Sequence, residues 1–238
     1  MTELQWLNAS DPPENFPDPR RALSDPEGLL AVGGDLSSER LLAAYRRGIF
    51  PWFNDDQPIL WWSPDPRAVL FPGELHISRS LRRRLRRNEF KVSIDLAFSA
   101  VISECAERRS GEGTWITPEM HAAYCDLHAQ GYAHSVETWQ GEELVGGLYG
   151  VNLGRVFFGE SMFSRVSDAS KVALVGLISA SRRLGLELVD CQLASAHLAS
   201  LGSRLLRRDN FLALLERYCV FPAATGWRQE RIETSQLL

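Results

Sequence analysis

The 238-residue chain has no marked excess of either charge: 26 Lys and Arg stand against 30 Asp and Glu, a formal net charge of −4. Such a balance carries no global signature of nucleic-acid binding, so any RNA contact has to come from a local basic patch. Long apolar runs are missing as well. No stretch reaches membrane-spanning length, and the first fifteen residues carry Glu3, Asp11 and Glu14 where a leader would be basic and then apolar. The expectation is a cytoplasmic protein with no membrane contact. Cysteine is sparse: Cys105, Cys125, Cys191 and Cys219 lie far apart with no C-x-x-C pair and read as buried reduced thiols. His121, His128 and His134 have no partners at metal spacing, so neither a metal nor a cofactor is expected. The G-x-S-x-G elbow of hydrolases is absent. So is a Gln/Arg-x-x-Gly-x-Gly/Ala loop that would cradle a coenzyme A pyrophosphate, which argues against an acyl-CoA enzyme. Gly146-Gly147-x-x-Gly150 has no helix start behind it and reads as close packing or a bulge.

With 45% apolar residues, the chain can bury a full core in one large domain or in one domain with an appendage. Composition changes near residue 75, which suggests a small N-terminal domain over 1–75 and a larger one over 76–238. Residues 10–35 are rich in Pro, Asp and Gly and favour turns. Ser37 is placed to cap a short helix with Leu41, Leu42 and Tyr45 on one face and Gly48 at its end. The aromatics of Gly48-Ile-Phe-Pro-Trp-Phe53 and Leu60-Trp-Trp-Ser-Pro64 either form the small domain's core or leave one or two, Trp52 above all, in a cleft to stack on a base.

Residues 77–87 supply the local basic patch. Ile77, Leu81 and Leu85 recur every four residues, so a helix buries them and spreads Arg79, Arg82, Arg83, Arg84, Arg86 and Arg87 over the rest of its surface. Six arginines without an intervening acid repel one another, which favours phosphate binding over an unoccupied face. Farther on, Asp95 is placed to cap a helix bearing Phe98, Val101, Ile102 and Cys105, and Thr117-Pro118 opens another that ends at Gly131. Strand-like runs over 132–139, 143–151 and 154–163 suggest an antiparallel meander. A helix near 167–184 closed by Gly185, a strand over 186–192 and helices near 195–203 and 209–218 complete an α+β fold on a mixed sheet.

Two segments concentrate the chemistry. Arg155 to Lys171 runs from an apolar strand through Glu160, hydroxyls and cations into a helix, and Asp190-Cys-Gln192 returns a second carboxylate on a second strand. Residues two apart on a strand face the same way, so Asp190 and Gln192 make a pair. Glu160 either receives a cationic ligand or pairs with Arg165 or Lys171 as scaffolding.

Taken in order, Gly48-Ile-Phe-Pro-Trp52, Trp61-Trp-Ser-Pro64, Thr114-Trp-Ile-Thr117, Gly146-Gly-Leu-Tyr-Gly150, Gly159-Glu-Ser-Met-Phe-Ser164, Ala169-Ser-Lys171, Asp190-Cys-Gln192 and His197-Leu-Ala-Ser-Leu-Gly202 resemble the bacterial leucyl/phenylalanyl-tRNA protein transferases across roughly residues 16–212. The resemblance implies a small N-terminal domain packed on an acetyltransferase-like (GNAT-like) mixed-sheet domain. It also implies transfer of Leu or Phe, with Met as a further donor, from aminoacyl-tRNA to the N-terminal Lys or Arg of a protein, marking that protein for degradation. Asp190 and Gln192 then take part in peptide-bond formation, with Glu160 or Asp190 meeting the cationic acceptor. Leu148, Met162 and Leu177 line the pocket for the aminoacyl side chain. Trp52, Trp115 and Phe157 surround the 3′ adenosine, and Ser195 stands where many relatives carry Asn. The arginine helix follows the acceptor-stem phosphates. On this reading Asp190→Ala reduces transfer and leaves the fold intact. A monomer is expected, since no long apolar seam is visible. The alternatives are a noncatalytic tRNA-binding protein and a tRNA-dependent transferase acting on cell-wall peptides.

Overall fold

A computed structural model describes residues 4–107 and 116–238. The first layer is a four-stranded sheet made of β1 (Gln5–Leu7), β2 (Leu29–Gly33), β3 (Phe50–Pro51) and β4 (Leu60–Trp62), in the order β1-β2-β4-β3. Helix α1 (Ser38–Arg46) lies between β2 and β3 and buries Leu41, Leu42 and Tyr45, as the four-residue spacing predicts. The Ser37 hydroxyl accepts from Arg40 N, and Gly48 follows the cap in a left-handed conformation (φ 70°). The aromatics divide between core and surface. Trp61 is fully buried, edge-on to Phe16 at 4.9 Å, and donates from Nε1 to Gly33 O; Trp52 is 41% exposed beside Trp62.

The second layer is an eight-stranded sheet. Its elements are β5 (Arg67–Leu70), α2 (Arg79–Arg86), β6 (Lys91–Ile94), α3 (Phe98–Glu107), α4 (Pro118–Ala129), β7 (Ala133–Gln140), β8 (Glu143–Leu153), β9 (Val156–Ser164), α5 (Ala169–Leu184), β10 (Leu188–Gln192), α6 (Ala196–Ala199), β11 (Arg204–Leu206), α7 (Arg208–Tyr218) and β12 (Gln229–Glu233). The strand order is β11-β5-β10-β9-β8-β7-β6-β12. β7, β8 and β9 form the expected meander, while β9 and β10 pair in parallel across the α5 crossover. One face packs on α1, α3, α4 and α7 through Val101, Tyr124, Tyr149 and Phe158; the other packs on α2, α5 and the C-terminal segment through Leu148, Phe157, Leu177 and Trp227. The result is the α+β architecture with a mixed sheet.

Several details differ from the sequence expectations. β5 precedes residue 75 yet lies in the large sheet between β11 and β10, so the change of sheet falls before the change of composition. Asp95 does not cap α3. It takes a left-handed turn (φ 56°), accepts from Ser135 N at 2.9 Å and meets His134 Nδ1 at 2.7 Å. The buried carboxylate of Glu137 on β7 instead accepts from Leu96 N and Ala97 N, each at 3.4 Å, just ahead of α3. β11 and β12, three and five residues long at the sheet's two edges, have no clear alternation to announce them. The glycine run does permit close packing: a Cβ at Gly146 would lie 2.5 Å from Ala169 Cβ, and one at Gly150 would lie 2.1 Å from Phe158 O. The C-terminal segment crosses the β8–β9 turn, with Ala224 N donating to Asn152 Oδ1 at 3.0 Å. It then stacks Trp227 on His134 at 4.0 Å and tilts it against Phe157 at 5.7 Å.

Candidate active site

The parallel ladder between β9 and β10 ends at Phe158↔Asp190, and immediately beyond it each strand carries an extra residue. The β8–β9 register moves from Tyr149↔Ser161 to Gly150↔Gly159 and leaves Glu160 over; the β10–β5 register moves from Asp190↔Val69 to Gln192↔Ala68 and leaves Cys191 over. Bulges re-aim side chains and part the ladder. Here two adjoining bulges open a cleft of about 330 Å³ at the end of the parallel pair.

The bulge on β10 overturns the simple alternation expected of Asp190 and Gln192. Gln192 sits at φ 61°, a left-handed position held by its own N–H donating to Asp190 Oδ1 at 2.9 Å. Asp190 is fully buried and takes a two-pronged hydrogen bond from Arg67, Nε to Oδ1 at 2.9 Å and Nη2 to Oδ2 at 2.7 Å. The guanidinium lies between the rings of Phe50 (4.6 Å) and Phe211 (4.8 Å). Asp190 therefore already has its counter-ion. Removing it would strand a buried arginine, so an Asp190→Ala variant with an undisturbed fold is no longer the expectation.

Glu160 is the second carboxylate lining the cleft. It accepts from Gln192 Nε2 (Oε1, 2.7 Å) and from the Tyr124 hydroxyl (Oε2, 2.8 Å), and Tyr124 in turn meets the Tyr45 hydroxyl. Burial pushes its pKa up to about 7, opposed by the hydrogen bonds from the tyrosines and reinforced by the Asp190 charge. The two tyrosines are pushed well above their ordinary range by burial and by Glu160. The scaffolding alternative for Glu160 does not occur: Arg165 pairs with Glu104 and Lys171 with Asp168 at 3.0 Å.

Trp52, Leu148, Phe157, Glu160, Met162, Leu177, Asp190, Gln192 and Ser195 all line this one cleft. Leu148, Phe157 and Leu177 belong to the core on the α5 side, and Met162 packs against it; Tyr149 and Phe50 belong to the opposite core. The cleft thus passes through the gap between β9 and β10, with an apolar wall on one side and Glu160 with its tyrosines on the other. Ser195 caps α6, its hydroxyl accepting from Leu198 N at 3.1 Å, so one of its lone pairs is committed. Trp115 lies outside the described residues. Cys191 also lines the cleft, but burial raises its thiol to about 12, so it stays protonated at neutral pH and is no nucleophile.

Helix α2 forms where the sequence places it, capped by Ser78, with Leu81 and Leu85 buried and Arg79, Arg82, Arg83, Arg86 and Arg87 exposed. Arg84 departs from that set. It donates to Glu89 (2.8 Å), to Ser167 O (2.7 Å) and to Asp168 (3.2 Å), and so ties α2 to the segment ahead of α5; Glu89 also approaches Arg87 at 3.6 Å. The fold returns an acid that the sequence run lacks. The fold also brings Asp95 to two histidines that lie close in sequence: ligand atoms of Asp95, His128 and His134 lie within 4.8 Å of one another. They are internally satisfied, His134 meeting Asp95 and Gly131 O, and His128 meeting Ala133 O.

Sequence reasoning missed Arg67, Tyr45 and Tyr124 as site residues. Arg67 had a signal, a lone arginine opening the apolar run Ala68-Val-Leu-Phe71. The tyrosines read as ordinary helix core and gain their meaning only where α1 and α4 meet β9.

The leucyl/phenylalanyl-tRNA protein transferase family profile matches residues 69–216, and the profile of that family's N-terminal domain matches residues 34–65. Over 216 residues the chain is 62% identical to the leucyl/phenylalanyl-tRNA protein transferase of Aromatoleum aromaticum, covering 90% of each. Over 226 residues it is 54% identical to that of Stutzerimonas stutzeri, covering 94% of this chain and 99% of the other. Among solved structures, L-PGS from Bacillus licheniformis aligns with 68% of this chain and 55% of its own at a TM-score of 0.41 and 12% identity. No described helix is long and apolar enough to cross a membrane. The chain belongs to the leucyl/phenylalanyl-tRNA protein transferase family and is an aminoacyltransferase.

Proposed function

We propose that the cleft transfers Leu or Phe, and also Met, from the 3′ end of aminoacyl-tRNA to the N-terminal Lys or Arg of acceptor proteins in the cytoplasm, with the enzyme acting as a monomer. The observation that carries this reading is a single cleft in which the apolar wall of Leu148, Met162 and Leu177 faces a buried carboxylate, Glu160, bound to Gln192. An unbranched or γ-branched apolar side chain fits that wall, and Met162 adapts it to more than one shape. A protein beginning with Lys or Arg presents two cations, its side chain and its α-ammonium. Among the described residues, Glu160 is the cleft carboxylate with no arginine of its own.

The donor ester is already activated, so the site has to hold amine and ester together and provide a place for a proton. An α-ammonium has a reference pKa of about 8. Glu160 at about 7 is close to it. Before their mutual attraction is counted, passing the proton to Glu160 costs on the order of 1.4 kcal/mol. The neutral amine then attacks the ester carbonyl, a C–N bond forms, the C–O bond to the ribose breaks, and the ribose oxygen leaves with a proton. Gln192 spends its Nε2 on Glu160, leaving Oε1 to accept from the incoming amine. Asp190 acts through Gln192 by holding its N–H, and Arg67 holds Asp190. Trp52 and Phe157 supply faces for the terminal adenine, Ser195 a polar contact beside it, and the exposed arginines of α2 follow the acceptor-stem phosphates.

The test mixes the purified protein with tRNA charged with radiolabelled leucine and two peptides that differ only in beginning with Arg or Ser. Label on the Arg peptide alone establishes the reaction and the acceptor rule. Bound charged tRNA with no label on either peptide would refute transfer to basic N-termini.

A further inference from the structure

Two buried polar atoms in the cleft wall have no hydrogen-bond partner among the described residues, Ser161 Oγ and His197 Nε2. Buried hydroxyls and ring nitrogens are nearly always paired, because an unpaired one loses its hydration and gains nothing in return. A cleft that keeps two such atoms is built to receive polar groups from outside the protein. Their positions narrow the choice of group. Ser161 stands on β9 between Glu160 and Met162, where the polar and apolar walls meet. His197 stands on α6 between Ser195 and Leu198, on the wall proposed for the adenosine.

Their chemistry narrows it further. Burial first, and then the nearby Lys171 charge, lower the His197 pKa, so the ring is neutral at neutral pH. Lys171 is itself held by Asp168 at 3.0 Å. A neutral imidazole nitrogen gives or accepts one hydrogen bond according to its tautomer, and a hydroxyl gives one and accepts up to two. Two neutral groups of this kind do not match a phosphate, which calls for cations or arrays of donors. They do match the head of the donor, where the aminoacyl side chain joins the ribose: an ester carbonyl, a 2′-hydroxyl and a free α-amine, spaced between an apolar pocket and an adenosine site.

We infer that Ser161 Oγ and His197 Nε2 are hydrogen-bond contacts for the aminoacyl-ribose head of the charged tRNA, positioning the ester between the two walls of the cleft. This rests on the transfer reaction proposed above, and the experiment separates the two. Steady-state transfer of leucine is measured for wild type, Ser161→Ala, His197→Phe and His197→Gln, varying charged tRNA and acceptor peptide in turn, with thermal unfolding of each variant. Ser161→Ala and His197→Phe each lower kcat/KM for charged tRNA about five-fold, the worth of one neutral hydrogen bond. The KM for the acceptor peptide does not move, and His197→Gln retains more activity than His197→Phe.

Thermal stability gives a readout that a scaffolding role would reverse. Each substitution removes an unpartnered buried polar group and strands no other, so the unfolding temperature holds or rises while use of charged tRNA worsens. Unchanged kcat/KM for charged tRNA in both variants overturns the assignment. So does a loss that falls equally on both substrates together with a lower unfolding temperature. A loss in one variant alone keeps that residue and removes the other. Wild-type protein that transfers no leucine overturns the reaction itself, whereas an active wild type matched by its variants overturns only these contacts.

Discussion

Replacing Arg67 with Met tests whether the ion pair beneath the site is scaffold, machinery or both. Both partners are fully buried and joined by two hydrogen bonds of 2.9 and 2.7 Å, so Arg67→Met leaves Asp190 unpaired in the core. Breaking one side of such a pair costs about 3–5 kcal/mol, a large share of the roughly 5–15 kcal/mol that separates folded from unfolded states. For a chain of this length that corresponds to a fall in unfolding temperature of about 6–20 °C, read by circular dichroism. The double variant Arg67→Met/Asp190→Leu removes both charges, and an apolar pair of similar volume recovers most of the stability. Transfer does not recover with it. Gln192 loses the Oδ1 atom that holds its N–H in a left-handed turn, and with it the aim of the side chain that meets Glu160. A single variant that melts within about 2 °C of wild type would refute the energetic argument. A stable double variant with wild-type transfer would show that the pair is scaffold alone.

Glu160→Gln separates stability from function in the opposite direction. Its pKa is raised from an ordinary 4.5 to about 7, so the folded protein binds the proton more tightly than the unfolded chain. The stabilisation is complete below about 4.5 and fades as pH rises through about 7, an effect of up to about 3 kcal/mol. Urea denaturation between pH 5 and 8 should show this decline in wild type and lose it in Glu160→Gln, which is the more stable protein at pH 8 but transfers poorly; parallel pH curves would sink the prediction. On α2, Arg79, Arg82 and Arg83 are exposed and Arg84 is engaged by Glu89 and Asp168. Replacing the first three by Ala should flatten the dependence of log affinity on log salt for charged tRNA by about 2–3, from roughly 0.7–0.9 for each phosphate that an arginine no longer neutralises. Arg84→Ala should change the slope less than any of them; equal slopes in wild type and the triple variant would remove α2 from the RNA interface.

Much of this fold could be read directly from the sequence because local rules agree with tertiary packing. The period of four in α1 and α2, the Thr117-Pro118 helix start, the Gly185 stop and the three meander strands all appear where spacing and capping place them. Elements whose identity depends on a distant neighbour were hidden. β11 has three residues, and β12 reads Gln-Glu-Arg-Ile-Glu; each is a strand because the sheet offers an edge. Asp95 looks like a helix cap until His134 and Ser135 compete for its carboxylate, and Glu137 then takes the position at the start of α3.

The candidate site shows the same division in sharper form. Glu160, Asp190 and Gln192 stood out as polar residues on otherwise apolar strands, and that signal is local. Their arrangement is not local, because a one-residue bulge reverses which side of a strand a residue faces, and both strands carry one at this point. Alternation puts Asp190 and Gln192 side by side, which would give the cleft two free carboxylates. The β10 bulge instead parts the two: Asp190 stays in the core against Arg67, Gln192 turns to Glu160, and among the described residues one cleft carboxylate is left without an arginine. Burial raises its pKa, and an arginine beside Glu160 would have held it low. Giving the arginine to Asp190 therefore lets the protein bury a second carboxylate while Glu160 keeps neutral hydrogen-bond donors, Gln192 and Tyr124.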